Sequence, residues 1–438
     1  MRNTQDLQEF IDTSPFSPFQ WLIVGLCFTI ILMDGFDTAA IGYIAPSLLH
    51  EWGLRKSDLG PVLSAALVGF AAGPLIAGPL ADRIGRKKVL FGALLVFGAA
   101  SLLAAFAADL RMLTVMRLFT GFGLGAAAPG AVALTGEFCP AKRRAMLTNT
   151  MFCAFPLGAA GGGFLAAWMI PLWGWRSVLL AGGIVPLLLA LLLQWRLPES
   201  VRYLLARGVD GARVREILAR IAPQAREVEH FVLDAAEDAH APRGLAAVLG
   251  RSRLAGSVML WIAYFMGLVI FYALINWMPI LFKDAGMAPR QATLITALFP
   301  LGGIGAVAAG VLMDRFQADR VVAAAYALTA VLIYLIGHVM GDLGLLTLTV
   351  FAGGALMNTA QSSMPALAAA YYPTQGRAAG IGWMLGIGRF GGVAGSFLVG
   401  MLAARHAGLT MIFLIVAIPG LLAAFALEIK RALRPSRA

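Results

Sequence analysis

The sequence predicts an all-α membrane protein whose twelve transmembrane helices form two six-helix bundles. Of the 438 residues, 60% are hydrophobic and 13% are charged, with a mean hydropathy of +0.81. Soluble domains carry roughly 25% charged residues. Twelve apolar runs are each long enough to cross a bilayer as a helix, and a motif in the first half of the chain recurs in the second. These observations exclude a soluble globular protein.

The apolar runs fall into two groups of six, separated by a long polar segment. We predict an N-terminal bundle over 1–196, a cytoplasmic linker over 197–253 with one or two surface helices, and a C-terminal bundle over 254–438. An even number of spans places both termini on the same side of the membrane. The predicted spans are 20–44, 58–81, 88–108, 112–136, 145–170, 175–196, 254–282, 291–313, 320–340, 344–370, 377–403 and 409–430.

The orientation follows from the Lys and Arg residues in the short connections. One side carries basic clusters at 83–88, 142–144 and 315–320, and we expect this richer side in the cytoplasm. The net charge of +11 therefore does not indicate nucleic-acid binding, because the basic residues lie between apolar runs. No short apolar stretch with a cleavage site precedes the first run, so we expect the first span to remain as an anchor.

A parallel internal repeat relates the two groups of spans. The motif at 78–83 recurs 232 residues later at 310–315, and the proline and arginine of 140–144 recur 233 residues later at 373–377. Two motifs that are repeated at nearly the same offset indicate two similar halves in parallel order. Transporters with a binding site between the halves have this plan. The charged loop residues in these copies are Asp82, Arg83, Arg144, Asp314, Arg315 and Arg377.

Two carboxylates, Asp34 and Asp37, lie inside the first apolar run. An Asp at the bilayer centre costs about 2.5–3.5 kcal/mol on insertion scales, and a spacing of three residues places both on one helix face. We therefore expect this face to line a polar cavity, where a partly desolvated carboxyl takes up and releases a proton. Alternatively, one Asp caps a helix broken at Gly35 or pairs permanently with an arginine.

The segment 78–90 resembles the signature loop between the second and third helices of the major facilitator superfamily. The weaker copy at 310–320 and the segment 198–204 after the sixth run agree with this resemblance. Within the superfamily, four further segments are similar to the aromatic acid:proton symporters of bacterial inner membranes. These four segments are 34–37, 117–125, 133–137 and 386–389.

The resemblance implies proton-coupled import of a small aromatic carboxylate, of the benzoate, hydroxybenzoate or phenylpropanoid type, by alternating access. In that family the paired aspartates of the first helix are required. Arg117 corresponds to the arginine of helix 4, and Arg377 and Arg389 correspond to arginines of helix 11. Asp82 and Asp314 correspond to the loop aspartates. We expect a multi-pass protein of the bacterial inner membrane that acts as a monomer.

Arg117 lies in the fourth apolar run and Arg389 in the middle of the eleventh. A guanidinium keeps its proton, so its burial requires an anion or water. We expect one of the two to hold the substrate carboxylate, while Asp34 and Asp37 carry the proton with Arg117 as partner. Alternatively, Arg117 only neutralises an Asp.

Aromatic and amide side chains within the spans are the candidates for the pocket walls. They are Phe155, Tyr272, Asn276, Trp277, Asn358, Gln361 and Trp383.

The charged loop residues of the repeat suggest a gate. Asp82 can pair with an arginine or lie at a helix N-terminus of the other half, a contact that forms in one conformer and breaks in the other. We assign a gating role to Asp82 and Arg83, to Asp314 and Arg315 in the second copy, and to Arg144 and Arg377. Alternatively, these residues only determine topology. Asp319 stands where some relatives carry histidine, which leaves the role of that position open.

No cofactor or metal is expected. The chain has no Walker motif and no zinc-ligand cluster, and its three cysteines are too scattered for a metal site. No nucleophile constellation suggests an enzyme. The energy for transport should therefore come from a proton gradient.

Three other functions remain open. A non-aromatic organic or sugar acid is an alternative substrate. A drug/proton antiporter would usually show Gly-Pro-x-x-Gly-Gly in helix 5, and the segment 155–162 departs from that pattern. A membrane receptor for aromatic acids would bind without transport, but no signalling domain is visible in the linker.

Overall fold

The computed structural model describes residues 4–208, 211–232, 253–305, 316–372 and 374–433. The side chains of residues 82, 145, 148, 149, 304, 305 and 374–379 lie outside this description. Within the described part, eleven helices are long and apolar enough to cross a membrane. The predicted all-α membrane fold is confirmed.

Six long helices follow a short first one in the N-terminal half. A capping box between Ser17 and Gln20 starts the first span, and Gly85, at a φ of 102°, lets the chain turn between the second and third spans. The bounds are α1 Leu7–Thr13, α2 Pro18–Glu51, α3 Leu59–Ile84, α4 Arg86–Ala105, α5 Leu110–Phe138, α6 Ala141–Trp173 and α7 Arg176–Arg196.

The linker carries two short helices, and the remaining spans follow it. The eighth predicted span begins as a helix and continues as a 3-10 turn over Gly302–Gly305, and its part after 305 lies outside the described residues. The bounds are α8 Val201–Ala206, α9 Gly211–Ala219, α10 Leu254–Asp284, α11 Pro289–Leu301, α12 Ala318–Ile336, α13 Leu343–Tyr371, α14 Thr374–Ala404 and α15 Leu409–Ala432.

The N-terminal segment packs on the linker through a small parallel sheet that the sequence did not predict. Strand β1 (Thr4–Asp6) pairs with β2 (His230–Val232). The Phe10 ring in α1 contacts the Phe231 ring edge-on, with centroids 5.3 Å apart. Three-residue strands are too short to show an alternating pattern, which is why the sequence predicted only a polar segment here.

Two faces of the helical layer can be distinguished by the segments that lie on them. The linker face carries α1, the linker and the α3–α4 turn, since Asp12 accepts a hydrogen bond from the Ala141 N–H at 2.7 Å. Tyr203 of the linker also donates to the Arg83 carbonyl at 3.1 Å. The far face is the opposite side, where α2 ends and α3 begins.

Helix packing follows the division into two halves. In the first half, α3 and α4 pack against α5, and α2 packs against α6. In the second half, α10 packs against α14 and α15, and α12 packs against α15. The halves meet through α2 with α10, α3 with α14 and α6 with α11. The boundaries of the two bundles at 196 and 254 stay a prediction.

Candidate functional site

A buried ion pair joins α2 and α5 in the first half. Arg117 of α5 donates through Nη1 to Asp37 Oδ1 at 2.7 Å and through Nη2 to the Asp37 carbonyl at 3.1 Å. Both side chains are only 1% exposed. Removing one partner from a buried pair typically costs 3–5 kcal/mol. In this conformation Arg117 therefore neutralises Asp37, as the sequence allowed.

Asp34 lies one turn before this pair and has different neighbours. Its carboxylate accepts a hydrogen bond from Thr38 Oγ1 at 3.4 Å, and the residue is 4% exposed. It interacts electrostatically with Arg389 of α14, which belongs to the second half. Among the described residues, Asp34 forms no salt bridge. The two carboxylates thus face different arginines, one from each half.

Arg389 occupies the interface between the halves. It donates through Nη1 to the Tyr272 hydroxyl of α10 at 3.1 Å, and its guanidinium lies 3.8 Å from the ring centroid of Phe70 in α3. No carboxylate in the described part of the chain forms a salt bridge with Arg389. An arginine stacked on an aromatic ring, with N–H groups left over, is suited to bind an incoming carboxylate.

The structure differs from the expectation that Asp34 and Asp37 line an open polar cavity. Both are buried because α2 is packed closely on two sides, with Gly35 against the backbone of α6 and Gly42 against the backbone of α10. The cavity beside the Asp37 ion pair measures about 10 Å³, room for roughly one water molecule. In the part of the chain that the structure describes, both carboxylates are therefore buried, with exposed fractions of 4% for Asp34 and 1% for Asp37.

Aromatic side chains from both halves form a chain next to Arg389. Phe155 of α6 contacts Phe271 of α10, with ring centroids 5.8 Å apart. Phe271 in turn contacts the ring of Tyr272 at 5.4 Å. Phe155 and Tyr272, both predicted pocket residues, therefore lie at the interface. Asn276, one turn further along α10, lines the small cavity beside Arg117.

Two predicted amides lie together on α13. Gln361 accepts a hydrogen bond from the Tyr326 hydroxyl at 2.7 Å and donates to the Tyr264 carbonyl at 3.5 Å. Asn358 donates to the carbonyls of Phe299 at 3.2 Å and Gly354 at 2.8 Å. Both amides thus fix the packing of the second half.

The two predicted tryptophans have different surroundings. Trp277 is fully buried, and its indole N–H donates to the Ser396 carbonyl at 2.9 Å. Its ring is enclosed between α10 and α14, so we assign it to packing and not to the substrate pocket. Trp383 is 47% exposed and stacks on Trp261 at 6.3 Å.

The predicted gate residues lie only partly within the described structure. Arg144 donates to Gln8 of the N-terminal segment at 2.7 Å, a contact within the first half. The Arg83 carbonyl accepts a hydrogen bond from the linker residue Arg207 at 2.9 Å. Asp314 and Arg315 lie outside the described residues, as do the side chains of Asp82 and Arg377.

Two further ion pairs on the linker face were not predicted. Arg86 pairs with Glu137, which also accepts a hydrogen bond from Ser200 at 2.5 Å. In the second half, Lys430 pairs with Asp319 at 2.6 Å, and both are buried. The only sequence signal for these pairs was a charged residue near the end of an apolar run, which does not identify the partner.

The far face is closed by contacts between the halves. Lys56 and Asp284 form an ion pair at 2.5 Å across the interface. Below it, a Cβ atom on Gly42 would meet the Ile275 carbonyl and the Asn276 backbone. Small residues allow helices to approach this closely in membranes. The far-face ends of α2 and α10 are therefore in backbone contact.

The helices α3 and α14 separate toward the linker face. At the far face, the Phe397 ring of α14 lies 3.2 Å from the position of a Cβ on Gly60 of α3. Toward the linker face, Gly78 of α3 and Gly386 of α14 have open space beside them, and Leu75 is 77% exposed. Among the described residues, the contact between α3 and α14 is therefore closer at the far face than toward the linker face.

Gly42→Val is expected to reduce net transport more than about tenfold, because the added side chain keeps α2 and α10 apart. Binding of substrate from the far face should survive, since that side stays open. The matched control is Gly25→Ala in the same helix, where a Cβ meets open space. The control should transport within about twofold of wild type, and equal activity of both variants would contradict the closure described here.

The family profile of the Major Facilitator Superfamily matches residues 27–307 and 260–437. This chain belongs to the major facilitator superfamily. The transporter is 46% identical to the 4-hydroxybenzoate transporter PcaK of Pseudomonas aeruginosa over 427 residues, which cover 97% of this chain and 95% of the relative. It is 44% identical to a gallate transporter of Pseudomonas putida, with 96% and 94% covered. These relatives place it among the aromatic acid transporters of the superfamily.

A solved structure shares the fold of the transporter at low sequence identity. The inward open conformation of the xylose transporter XylE from E. coli superposes with a TM-score of 0.72 at 18% identity, covering 95% of this chain and 96% of that one. The predicted two-bundle membrane fold is confirmed by this likeness and by the family match. The prediction that the chain is not an enzyme is confirmed by the transporters to which it is related.

Proposed function

We propose that this transporter imports a small aromatic carboxylate together with protons across a bacterial inner membrane. The observation that carries the proposal is the position of Arg389. It lies between the halves, over the Phe70 ring, and interacts electrostatically with Asp34. A substrate carboxylate and a protonatable carboxyl thus compete for one cation.

The relatives support the class of substrate. They are named for 4-hydroxybenzoate and gallate, which are both benzoic acids with ring hydroxyl groups. A planar ring needs apolar walls with a few polar groups at its edge. Phe155, Phe271 and Tyr272 supply aromatic surface next to Arg389, and Asn358 and Gln361 supply amides deeper in the second half.

The proposed coupling follows from charge balance. With Asp34 ionised, Arg389 already has a nearby anion. With Asp34 protonated, Arg389 is left for the substrate carboxylate. A state with an unbalanced buried charge costs several kcal/mol, so the halves close only around substrate with a proton or around the empty site. While Asp37 is ionised, its ion pair with Arg117 keeps the first half neutral.

We assign the linker face, with both termini, to the cytoplasm, because basic residues cluster there. The structure is then an inward-facing conformer. When the linker face closes, Asp82 and Arg83 of the first half would contact the second half. The second half would contribute Asp314, Arg315 and Arg377 to this gate, and Arg144 would be close to it. The two bundles, 1–196 and 254–438, rock about the site, and a single chain holds every proposed site residue.

The proposal is tested by uptake into proteoliposomes of wild-type protein, with 4-hydroxybenzoate, gallate, cinnamate and the non-aromatic gluconate as labelled substrates. We expect the aromatic acids to accumulate only when the outside is more acidic than the inside. Accumulation of gluconate alone would identify a sugar-acid importer. Proton-driven efflux would identify an antiporter, and binding without flux would identify a receptor.

A further inference from the structure

Asn276 is buried where the two halves are closest, and one end of its amide has no partner. Its Nδ2 donates to Ser396 Oγ at 2.8 Å, which ties α10 to α14. Its Oδ1 has no hydrogen-bond partner among the described residues, although the residue is only 1% exposed. Buried amide oxygens are almost always hydrogen-bonded, so a donor is expected at this position.

The guanidinium of Arg117 also has a buried polar group without a partner among the described residues, and this group is a hydrogen-bond donor. Its two terminal nitrogens are used by Asp37. Its Nε–H is buried and has no acceptor within the described part of the chain. A donor in the first half and an acceptor in the second half are therefore both unsatisfied at the same interface.

The two residues that carry these groups line one cavity. Arg117 and Asn276 both line it, together with Thr38 and Tyr272, and its volume is about 10 Å³. A cavity needs roughly 10–15 Å³ and two to four polar partners to hold a water molecule. A water here can accept the Arg117 Nε–H and donate to Asn276 Oδ1, which satisfies both groups.

We propose that one buried water molecule occupies this cavity and that Asn276 is a positioning residue, which holds Arg117 against Asp37 through that water. This inference rests on the proposed function and identifies how the second half responds to the charge of Asp37. Asn276 is therefore assigned to the ion pair and not to the substrate pocket where the sequence placed it.

The bridge exists only while the far face is closed. Gly42 of α2 packs against the backbone of Asn276 in that state, and separation of α2 from α10 would carry the amide away from Arg117. An ionised Asp37 with a fully bonded Arg117 thus favours the inward-facing conformer. Protonation of Asp37 weakens its hold on Arg117 and lets the far face open.

The charged and titratable groups around the cavity come from four helices. Asp34 and Asp37 belong to α2, Arg117 to α5, Tyr272 to α10 and Arg389 to α14. The residues that α3 contributes to the lining are all apolar. Both arginines keep their protons, so a pH effect at this cavity acts through the two carboxyls.

The first test compares Asn276→Leu with Ser396→Ala. Leucine removes the amide and fills the cavity, so we expect accumulation under a pH gradient to fall about tenfold while substrate exchange without a gradient stays within about threefold. Ser396→Ala leaves the amide in the cavity and should change both by less than about threefold. Equal losses of accumulation and exchange in Asn276→Leu would show a purely structural role and overturn the proposal.

The second test uses Asn276→Asp, which keeps the size and adds a carboxylate that competes with Asp37 for Arg117. We expect the pH of half-maximal uptake to shift by about one unit or more. An unchanged pH profile would overturn the proposal.

A third test does not depend on transport. A structure that resolves ordered water should show one oxygen between Arg117 Nε and Asn276 Oδ1. An empty cavity would overturn this inference, whereas absent aromatic acid uptake by wild type would refute only the proposed function.

Discussion

Asp34→Asn is expected to abolish accumulation of the aromatic acid while leaving its exchange intact. The asparagine oxygen still accepts the hydrogen bond from Thr38, but the side chain has no proton to give up. With asparagine at position 34, Arg389 lacks its nearby anion only while the site is empty. The substrate carboxylate supplies that anion in the loaded site, so the loaded halves still close and exchange continues. The steady-state ratio of labelled substrate inside to outside should fall at least about tenfold under a pH gradient.

The matched control for this variant is Asp109→Asn. Asp109 caps the start of α5 through a hydrogen bond to the Met112 N–H at 2.7 Å, and asparagine caps helices equally well. This variant should accumulate substrate as wild type does. Wild-type accumulation by Asp34→Asn would show that this carboxyl carries no coupling proton.

Arg389→Gln is expected to raise the substrate KM about 10- to 150-fold, because a hydrogen bond to a charged group contributes roughly 1.5–3 kcal/mol. Arg389→Lys should fall between wild type and the glutamine variant, since lysine keeps the charge but loses the planar fork. Both are measured as initial uptake rates over a range of concentrations of 4-hydroxybenzoate.

Arg405→Gln serves as the control for the arginine variants. Arg405 is exposed at the far face, beyond the end of α14, and its loss should leave KM within about twofold of wild type. A glutamine variant at 389 with unchanged KM and a reduced maximal rate would place Arg389 in the conformational change and not in binding.

The large features of the fold were predictable because each has a long sequence signal. Spans of about twenty apolar residues and the repeat of the 78–83 motif depend on many positions. The carboxylates at 34 and 37 stand out for the opposite reason, since charge is so costly in a membrane. That one of them pairs with Arg117 was foreseen as an alternative, but which one depends on how α2 and α5 pack.

Several site residues carried no signal of their own. Phe70 lies under the Arg389 guanidinium, but one phenylalanine in an apolar run looks like any other. The sequence also gives no indication of the role of Gly42, because that role depends on the backbone of α10, which packs against it only in the folded protein. Trp277 was misleading, since its polar N–H is satisfied by the Ser396 carbonyl and leaves nothing for a ligand.

We propose that substrate and protons move together through the two halves. The most direct measurement is the internal pH of proteoliposomes, followed with a trapped dye after 4-hydroxybenzoate is added outside at equal pH. Proton-coupled import predicts that wild-type protein acidifies the interior and that Asp34→Asn does not. Substrate entry by the wild type without any change of internal pH would contradict it.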